Sequence, residues 1–258
     1  MIKSPLQIQK NVLFALFIRE IKTRFGEYKL GYFWAVVEPL TQVLFFVFIW
    51  SILGRTSFNG VHSSVFLVTS VVPWFCFANC ISRSNSAIEA NRVLFVYKNV
   101  QPTDTVFNRV CLEFLIHLVV YVIMLLGLLL FGFDVSINDP FMHLLAWMVL
   151  FAYSLGFGFL TCLFSTTFKS ASSIVGVIKR VLYFSSGVFF PLSSLPTQVQ
   201  NFIKWNPLLQ LIEFLRASYF ESFSIDNEFI LYTSFISLII LFYGFYLFRR
   251  YQLALKRM

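Results

Sequence analysis

The feature that most constrains this chain is its series of long apolar stretches, which are separated by short charged segments. Apolar residues make up 58% of the sequence and charged residues only 12%, whereas soluble domains carry about 25% charged residues. About 20 residues in a helix cross the ~30 Å hydrocarbon core of a bilayer. We therefore predict six membrane spans, at residues 33–53, 65–81, 110–133, 141–168, 171–190 and 229–248.

These spans are predicted to be helices, because a backbone surrounded by lipid has to satisfy its own hydrogen bonds. A β-barrel is excluded, since the stretches lack the alternation of apolar and polar residues that barrel strands require. The predicted fold class is an all-α integral membrane protein with six transmembrane helices. An amphipathic arm at 1–32 precedes the transmembrane domain at 33–248, and a basic cytoplasmic tail at 249–258 follows it.

The distribution of lysine and arginine predicts the orientation of the chain, since positive residues are retained in the cytoplasm. They concentrate in three segments, namely Lys3, Lys10, Arg19, Lys22, Arg24 and Lys29 in the arm, Arg83, Arg92, Lys98 and Arg109 between the second and third spans, and Arg249, Arg250, Lys256 and Arg257 in the tail. The opposite loops hold only Arg55, Lys204 and Arg216. Both termini are therefore expected in the cytoplasm. The net charge of +8 reflects this asymmetry and not a nucleic-acid partner.

The arm before the first span has the periodicity of an amphipathic helix. At 100° per residue its apolar side chains fall in one sector, and Arg19, Lys22 and Thr23 lie opposite. Such a helix is suited to lie in the cytoplasmic interface of the membrane. An ordinary anchor beside the first span and a functional element both fit this pattern.

The cytoplasmic segment 84–106 carries a second amphipathic pattern. Ser86 and Glu89 have the spacing of a capping box, which predicts that a short helix begins there. Pro102 is expected to end it. Two interpretations remain open, a docking surface for another protein and a helix that rests on lipid headgroups.

The segment 190–226 is too apolar for a solvated loop and too interrupted by prolines to span the membrane. Two short re-entrant helices in the outer leaflet would fit, because broken backbone is tolerated where it lines a protein cavity. Lys179 and Arg180 lie in the middle of the fifth span, where a charge needs water or has to snorkel to the surface. Glu113 and His117 lie one turn apart, either as a structural pair or as a proton relay.

The sequence shows no set of residues for catalysis by this chain. Its glycines nowhere form the phosphate-binding loop of a nucleotide hydrolase. The three histidines are scattered, and the four cysteines lie in apolar segments as small hydrophobic residues. We therefore expect no enzyme activity, no metal site and no cofactor bound by this chain itself.

Three segments resemble the permease subunit of bacterial polysaccharide ABC exporters of the group 2 capsule type. They are "LFIREIKTRFGEYKLGYFWAVVEPL", "AIEANRVLFVYKNVQPTDTVFNRVCLE" and "FFPLSSLPTQVQNFIKWNPLLQLIEFLR". The resemblance covers nearly the whole chain, from about residue 10 to 248, and the first segment is its most specific part. It implies a homodimer in the bacterial inner membrane that moves lipid-linked polysaccharide to the periplasm through a channel at the dimer interface. It also implies two copies of a separate ABC ATPase, which bind ATP and Mg, and export proteins in the periplasm and outer membrane.

The resemblance also implies roles for particular residues. The arm, at 13–29, becomes a gate where Arg19, Lys22 and Arg24 meet the phosphate of the lipid anchor, with Glu38-Pro39 as its corner. The segment 88–97 becomes the helix that couples to the ATPase. Channel lining falls to Lys179 and Arg180, with an anchoring role as the alternative. The residues assigned to coupling are Glu89, Asn91, Arg92, Leu94, Phe95 and Tyr97, and those assigned to the outer re-entrant region at 191–223 are Trp205, Asn206, Pro207, Arg216 and Tyr219. Trp205 and Tyr219 are expected at the membrane interface, where amphipathic rings prefer to lie.

Other functions remain open at this point. A permease for O-antigen or teichoic acid would share this plan. A proton-coupled secondary transporter could use Glu113 and His117, and a membrane enzyme acting on lipid-linked sugars would need catalytic residues that the sequence does not offer.

Overall fold

The structure, a computed structural model, describes residues 4–25, 31–54, 57–168 and 170–257. The fold in these ranges is predominantly helical, as predicted. Its helices are α1 (Pro5–Phe25), α2 (Gly31–Ile52), α3 (Ser63–Asn85), α4 (Ala87–Asn91), α5 (Pro102–Leu130), α6 (Pro140–Thr167), α7 (Ala171–Ser185), α8 (Thr197–Ile203), α9 (Pro207–Tyr219) and α10 (Asn227–Arg257). Short 3-10 helices cover Arg92–Val96 and Leu192–Ser194.

Four of the predicted spans are confirmed as helices that are long and apolar enough to cross a membrane, namely α3, α5, α6 and the part of α10 at Asn227–Gln252. The apolar part of α2, Val36–Ile52, is shorter. The predicted span at 171–190 is too long, because α7 has 15 residues and is therefore only about 22 Å in length. A turn at Gly187, with φ of +64°, follows the end of α7.

A two-stranded hairpin that the sequence analysis missed connects α2 to α3. Strand β1 (Ser57–Phe58) pairs with β2 (Val61–His62) in antiparallel register. The two residues between the strands, Asn59 and Gly60, have φ of +47° and +82°. An Asn-Gly pair is the strongest short signal for such a turn, because both positions need positive φ. The signal was therefore present in the sequence.

Helix α3 lies at the centre of the bundle and is almost completely buried by α2, α5, α6 and α9. Helix α10 packs along α6 through two glycines. A Cβ atom added at Gly244 would lie 2.6 Å from the carbonyl oxygen of Gly156, and one added at Gly156 would lie 2.6 Å from the backbone nitrogen of Leu241. Small residues let membrane helices approach this closely.

The prediction that Glu38-Pro39 forms the corner between the arm and the first span is wrong. Helix α2 begins at Gly31 and continues through Pro39, so this pair lies inside the second helix and not at its entry. The proline removes one helical hydrogen bond, which a membrane helix tolerates when neighbouring groups compensate. The connection between α1 and α2, at 26–30, lies outside the described residues, as does the predicted end of the arm at Lys29.

Pro102 also has a different position from the predicted one. The short helical segment after α3 ends before it, and Pro102 is the first residue of α5. Gln101 and Asp104 form a reciprocal capping box at this end, in which the carboxylate of Asp104 accepts a hydrogen bond from the backbone of Gln101 at 3.0 Å. A proline fits at the first helical position, where its missing N–H would have no partner in the helix.

The segment after α7 contains two short helices, as predicted. Of these, α9 is largely buried, and it packs against α3, α6 and α10. Helix α10 continues without a break from the predicted last span into the basic tail and ends at Arg257.

Candidate functional site

The predicted amphipathic arm is a helix, α1, which starts at Pro5. Leu16 is buried against the bundle, whereas Phe14 keeps 66% of its surface exposed and Ile18 keeps 36%. The helix therefore presents an apolar surface away from the protein as well as toward it. A helix at a membrane interface needs such a surface.

Charged contacts hold the end of α1 against the spans. Arg24 forms an ion pair with Glu113 of α5, and Arg83 of α3 approaches the same carboxylate at 3.3 Å. Glu113 is 1% exposed, so two arginines from different helices compensate its buried charge. Burial lowers the pKa of Arg24 to about 10, with a smaller contribution from the charge of Arg83. Arg24 therefore stays protonated at neutral pH.

A second group of contacts joins α1 to the segment after α3 and to the first turns of α5. Arg19 donates a hydrogen bond to the side-chain oxygen of Asn91 at 3.0 Å. Glu20 Oε1 lies 2.9 Å from Nε of Arg109. The Nη1 atom of Arg109 also donates a hydrogen bond to Ser86 Oγ at 3.0 Å. The arm and the predicted coupling segment are thus linked directly.

These contacts separate the three residues that were assigned to the lipid anchor. Arg24 is bound to Glu113 and Arg19 to Asn91, whereas Lys22 is exposed. The structure places Arg19 and Arg24 against the protein because buried polar groups on neighbouring helices need partners there. Glu38 is exposed on α2.

We predict that Glu113→Gln loosens α1. The amide keeps the shape of the side chain but removes the negative charge that Arg24 and Arg83 both face, which we expect to cost about 1–3 kcal/mol. Hydrogen exchange in α1 of the purified protein should become faster. Glu228→Gln, at an exposed position of α10, is the matched control and should leave the exchange unchanged. Unchanged exchange in the Glu113 variant would show that the ion pairs do not hold the arm.

Glu113 and His117 form a structural arrangement and not a direct charge pair. His117 Nδ1 lies 2.8 Å from the backbone oxygen of Glu113 but 4.0 Å from its carboxylate. Its other ring nitrogen lies 3.2 Å from Asn79. Both side chains are almost fully buried. The partners of this histidine are therefore those of a satisfied core residue.

The predicted coupling segment folds as α4 followed by the 3-10 helix at Arg92–Val96. Its residues divide between the core and the surface. Asn91 and Phe95 are buried and Leu94 is half-buried, while Glu89, Arg92 and Tyr97 are exposed. Two exposed apolar residues that were not assigned, Val93 at 81% and Val96 at 86%, belong to the same surface.

The start of α4 is at the predicted position, but the predicted capping box is wrong. Ser86 makes no side-chain capping bond, because its hydroxyl accepts a hydrogen bond from Arg109. A tertiary contact with a charged donor thus replaces the local cap. Nothing in the local sequence around Ser86 indicates this partner.

Lys179 lies in a polar cleft of about 550 Å³ between α3, α6 and α7. It donates a hydrogen bond to Ser82, and Asn85 and Glu89 line the same cleft. The structure therefore brings one predicted channel residue and one predicted coupling residue to a single cleft. Arg180, the next residue along α7, is exposed.

The residues assigned to the outer region have several local roles. The side chain of Asn206 caps α9 by accepting from the amide of Leu208 at 3.0 Å, and Pro207 is the first residue of that helix. Trp205 is 59% exposed and packs edge-on against Tyr232. Its exposure is compatible with the predicted position at the membrane interface.

Tyr219 does not have the exposed position predicted for an interface residue. Only 1% of its surface is accessible, and its hydroxyl donates to the backbone oxygen of Val135 at 2.8 Å. The tyrosine is buried because α9 packs inside the bundle, where its hydroxyl finds a partner.

Arg216 was counted with the residues of an outer loop, but it is completely buried. Its guanidinium donates to Glu213 at 2.8 Å and to Ser70 Oγ at 2.7 Å. It also donates to the backbone oxygens of Gly187, Val188 and Phe190. One arginine therefore joins α9, α3 and the turn after α7.

Sequence reasoning missed the contributions of Glu20, Ser70 and Arg109. Each acts through a partner that is distant in the sequence, so no local motif marks it. The signal that was available is the presence of ionisable residues in or beside apolar helices, since such residues require partners.

These helices define a polytopic membrane protein in which a further helix, α1, packs beside the spans and a short helical segment connects α3 to α5. The sequence profile of the ABC-2 type transporter family matches residues 11–220. The chain belongs to this family, and the resemblance found in the sequence is confirmed.

Curated relatives match over most of the chain. The polysialic acid transport protein KpsM of Escherichia coli is 33% identical over 99% of both chains. The capsule polysaccharide export inner-membrane protein BexB of Haemophilus influenzae is 31% identical over 88% of this chain and 85% of its own. The corresponding protein CtrC of Neisseria meningitidis is 31% identical over 83% of this chain and 81% of its own.

Proposed function

We propose that this chain is the permease subunit of an ATP-driven exporter that moves lipid-linked capsular polysaccharide from the cytoplasm to the periplasm. The observation that carries the proposal is the full-length similarity to a polysialic acid transport protein, together with similarity to two capsule export proteins. The inner membrane is the corresponding location. The distribution of basic residues supports cytoplasmic positions for both termini.

The proposed assembly is a homodimer with two copies of a separate ABC ATPase, on which ATP and Mg bind. Export proteins of the periplasm and outer membrane continue the path. ATP hydrolysis is assigned to the partner, since the sequence of this chain has no phosphate-binding loop. Neither nucleic acid nor a cofactor bound by this chain belongs to the proposal.

We assign ATPase coupling to the exposed surface of α4 and the 3-10 helix, formed by Glu89, Arg92, Val93, Val96 and Tyr97. Its two valines are largely exposed, and exposed apolar residues rimmed by polar ones favour a protein interface. Asn91 and Phe95 contribute by anchoring this surface to the bundle, because they are buried. The contacts of α1 with Asn91 and Arg109 offer a path from the ATPase to the arm.

Val96→Asp is expected to weaken binding of the ATPase by about tenfold or more, the effect of losing a central interface residue. The melting temperature of the permease should stay the same, because Val96 is 86% exposed. Copurification of the two subunits measures the effect. Phe202→Asp places the same charge at an equally exposed position of α8 and should retain the ATPase. Equal copurification with both variants would contradict the assignment.

The channel is assigned to the faces of α2 and α7 at the dimer interface. Both helices keep large apolar residues exposed in the single chain. Arg180 is exposed on α7 beside Val177 and Val181, and a charge at membrane depth requires water or a partner. An aqueous path between two protomers would supply that water. Lys179 lies on the same helix, α7, and the polar cleft around it would open toward this path.

Arg180→Glu is expected to lower export of an anionic polymer at least tenfold, because a cation on the path is replaced by a repelling charge. Polymer at the cell surface and inside the cell is measured after complementation of a deletion strain. Arg250→Glu, in the exposed basic tail, is the control and should export normally. Normal export by the Arg180 variant would favour the alternative role of this residue as an anchor of α7.

The lipid-anchor gate is proposed for the arm in a modified form. Lys22 is exposed and takes the contact with the anchor phosphate, since cations bind phosphate well. Arg19 and Arg24 hold the helix in place through Asn91 and Glu113.

Deletion of the gene tests the proposed function. Capsular polymer should accumulate inside the cell and disappear from its surface, and the intact gene should reverse both effects. Accumulation of O-antigen or teichoic acid instead would identify the alternative cargo. Export that stops when the proton gradient is dissipated at constant ATP would favour a proton-coupled transporter. The ion pairs of Glu113 with two arginines do not favour that function.

A further inference from the structure

A groove of about 890 Å³ lies between α1, α5, α6 and α10. Its lining is apolar along most of its length, with the buried Leu155 and Phe159 of α6 and the exposed Leu238 and Phe242 of α10. At one end the lining becomes polar, with Arg249 of α10 and Gln9 of α1. A ligand that fills the groove therefore needs a long apolar part and a polar end.

The position of Arg249 fixes the depth of this polar end. The apolar part of α10 runs without a charge from Phe229 to Phe248, and Arg249 and Arg250 follow. Basic residues that end an apolar helix lie where hydrocarbon gives way to lipid headgroups. The groove thus extends from the headgroup region into the hydrocarbon of one leaflet.

Arg249 has donors available for an anion. Among the described residues, its hydrogen bonds use only Nη1, which donates to the neutral oxygens of Gln101 at 2.7 Å and Gln252 at 3.2 Å. No carboxylate in the described part of the chain forms an ion pair with it. The guanidinium also lies 6.0 Å from the ring of Phe245. A planar guanidinium with free N–H groups suits a phosphate.

Among the described residues that line this rim, the single acid is already bonded. Asp104 is 6% exposed and accepts hydrogen bonds from Gln9 at 2.7 Å and from the backbone of Gln101 at 3.0 Å. Its charge is held at the start of α5. Among the described lining residues, the exposed charge at the mouth is therefore that of Arg249, with Arg250 beside it in the sequence.

We infer that this groove binds an anionic phospholipid of the membrane, with one acyl chain along α10 and the phosphate at Arg249. The ligand contacts α1 through Gln9 and Leu13 and α10 through Phe242 and Arg249, so it joins the arm to the last span. None of the described residues of α2 and α7, to which the channel is assigned, lines this groove. The occupant is therefore a resident lipid and not the exported one.

Lipid retention by the purified full-length protein tests this inference. The protein in detergent is mixed with equal amounts of phosphatidylglycerol and phosphatidylcholine, washed, and analysed by native mass spectrometry. We expect phosphatidylglycerol to be retained at least tenfold better. Arg249→Gln should abolish this preference, while Arg250→Gln, which does not line the groove, should keep it.

Two further variants separate charge from shape and from folding. Arg249→Lys keeps the charge but loses the paired N–H donors of the guanidinium. It should therefore show an intermediate preference for phosphatidylglycerol. Phe242→Ala shortens one wall and should reduce retention of both lipids. Melting temperatures measured without added lipid identify a variant that fails to fold. Equal retention of the two lipids by the wild type, or an unchanged preference in well-folded Arg249→Gln, would overturn the inference.

Discussion

Arg216→Met is expected to destabilise this protein more than any other single charge removal, by about 3–5 kcal/mol. Arg216 is completely buried and donates to Glu213, to Ser70 and to three backbone oxygens. Methionine fills part of the space but donates to none of them. Glu213 is left as a largely buried charge without a cation, and the backbone amide of Leu192, which donates to it at 3.0 Å, remains. The melting temperature in detergent and the yield of monodisperse protein measure the loss.

Two controls separate the buried network from a general effect of removing arginine. Arg250→Met, at an exposed position, should melt close to the wild type. Its free energy of unfolding should differ from that of the wild type by less than about 1 kcal/mol. Adding Glu213→Met to Arg216→Met removes the stranded acid and should restore part of the stability. If Arg216→Met melts like the Arg250 variant, the network does not hold α9 and α3 together.

The second large effect is expected at the contact between α6 and α10. Gly244→Val places side-chain atoms where the carbonyl oxygen of Gly156 lies only 2.6 Å from a Cβ. The obstacle is backbone, so the helices have to separate. Overpacking of this kind costs about 1–3 kcal/mol. We expect a lower melting temperature and faster hydrogen exchange along α10.

Gly127→Val is the matched control for this substitution. Gly127 also lies within a long apolar helix, α5, but no atom in the described part of the chain lies within 4 Å of a Cβ built there. Valine at that position should therefore be tolerated. Similar melting temperatures for the two variants would show that close approach of α6 and α10 does not contribute to stability.

The helical class and four spans could be predicted from the sequence because they depend on apolar length alone. The start of α4 after Ser86 and the pair of short helices after α7 were also predicted, from turn and proline signals. Helix ends were less predictable. The apolar pattern of α7 continues past Ser185, but the positive φ of Gly187 ends the regular structure there.

The arrangement of charges could not be predicted from local patterns. Arg24, Arg83 and Glu113 are far apart in the sequence, and only the packing of α1, α3 and α5 brings them together. For the same reason Arg19 was assigned to a lipid phosphate, although its partner in the structure is Asn91. An amphipathic pattern indicates which face of a helix is polar, but not what that face contacts.

The sequence also could not predict which residues of the short segments are buried. In the coupling segment the sequence marks every apolar residue equally, whereas the structure buries Phe95 at 9% exposure and leaves Val96 at 86%. Tyr219 was likewise expected at the membrane surface and is in the core. The 3-10 helix and the buried helix α9 determine which of these residues face inward. A 3.6-residue apolar period predicts neither the 3-10 helix nor the burial of α9.

The central claim is that this chain is the membrane subunit of an ATP-driven exporter. The most direct test is to tag it in its native cell, solubilise the membrane gently, and measure nucleotide hydrolysis in the purified complex. We predict an ATP-hydrolysing subunit present in equal amount, retained with Phe202→Asp and lost with Val96→Asp. Recovery of the chain alone, under conditions that keep another membrane complex intact, would contradict the account.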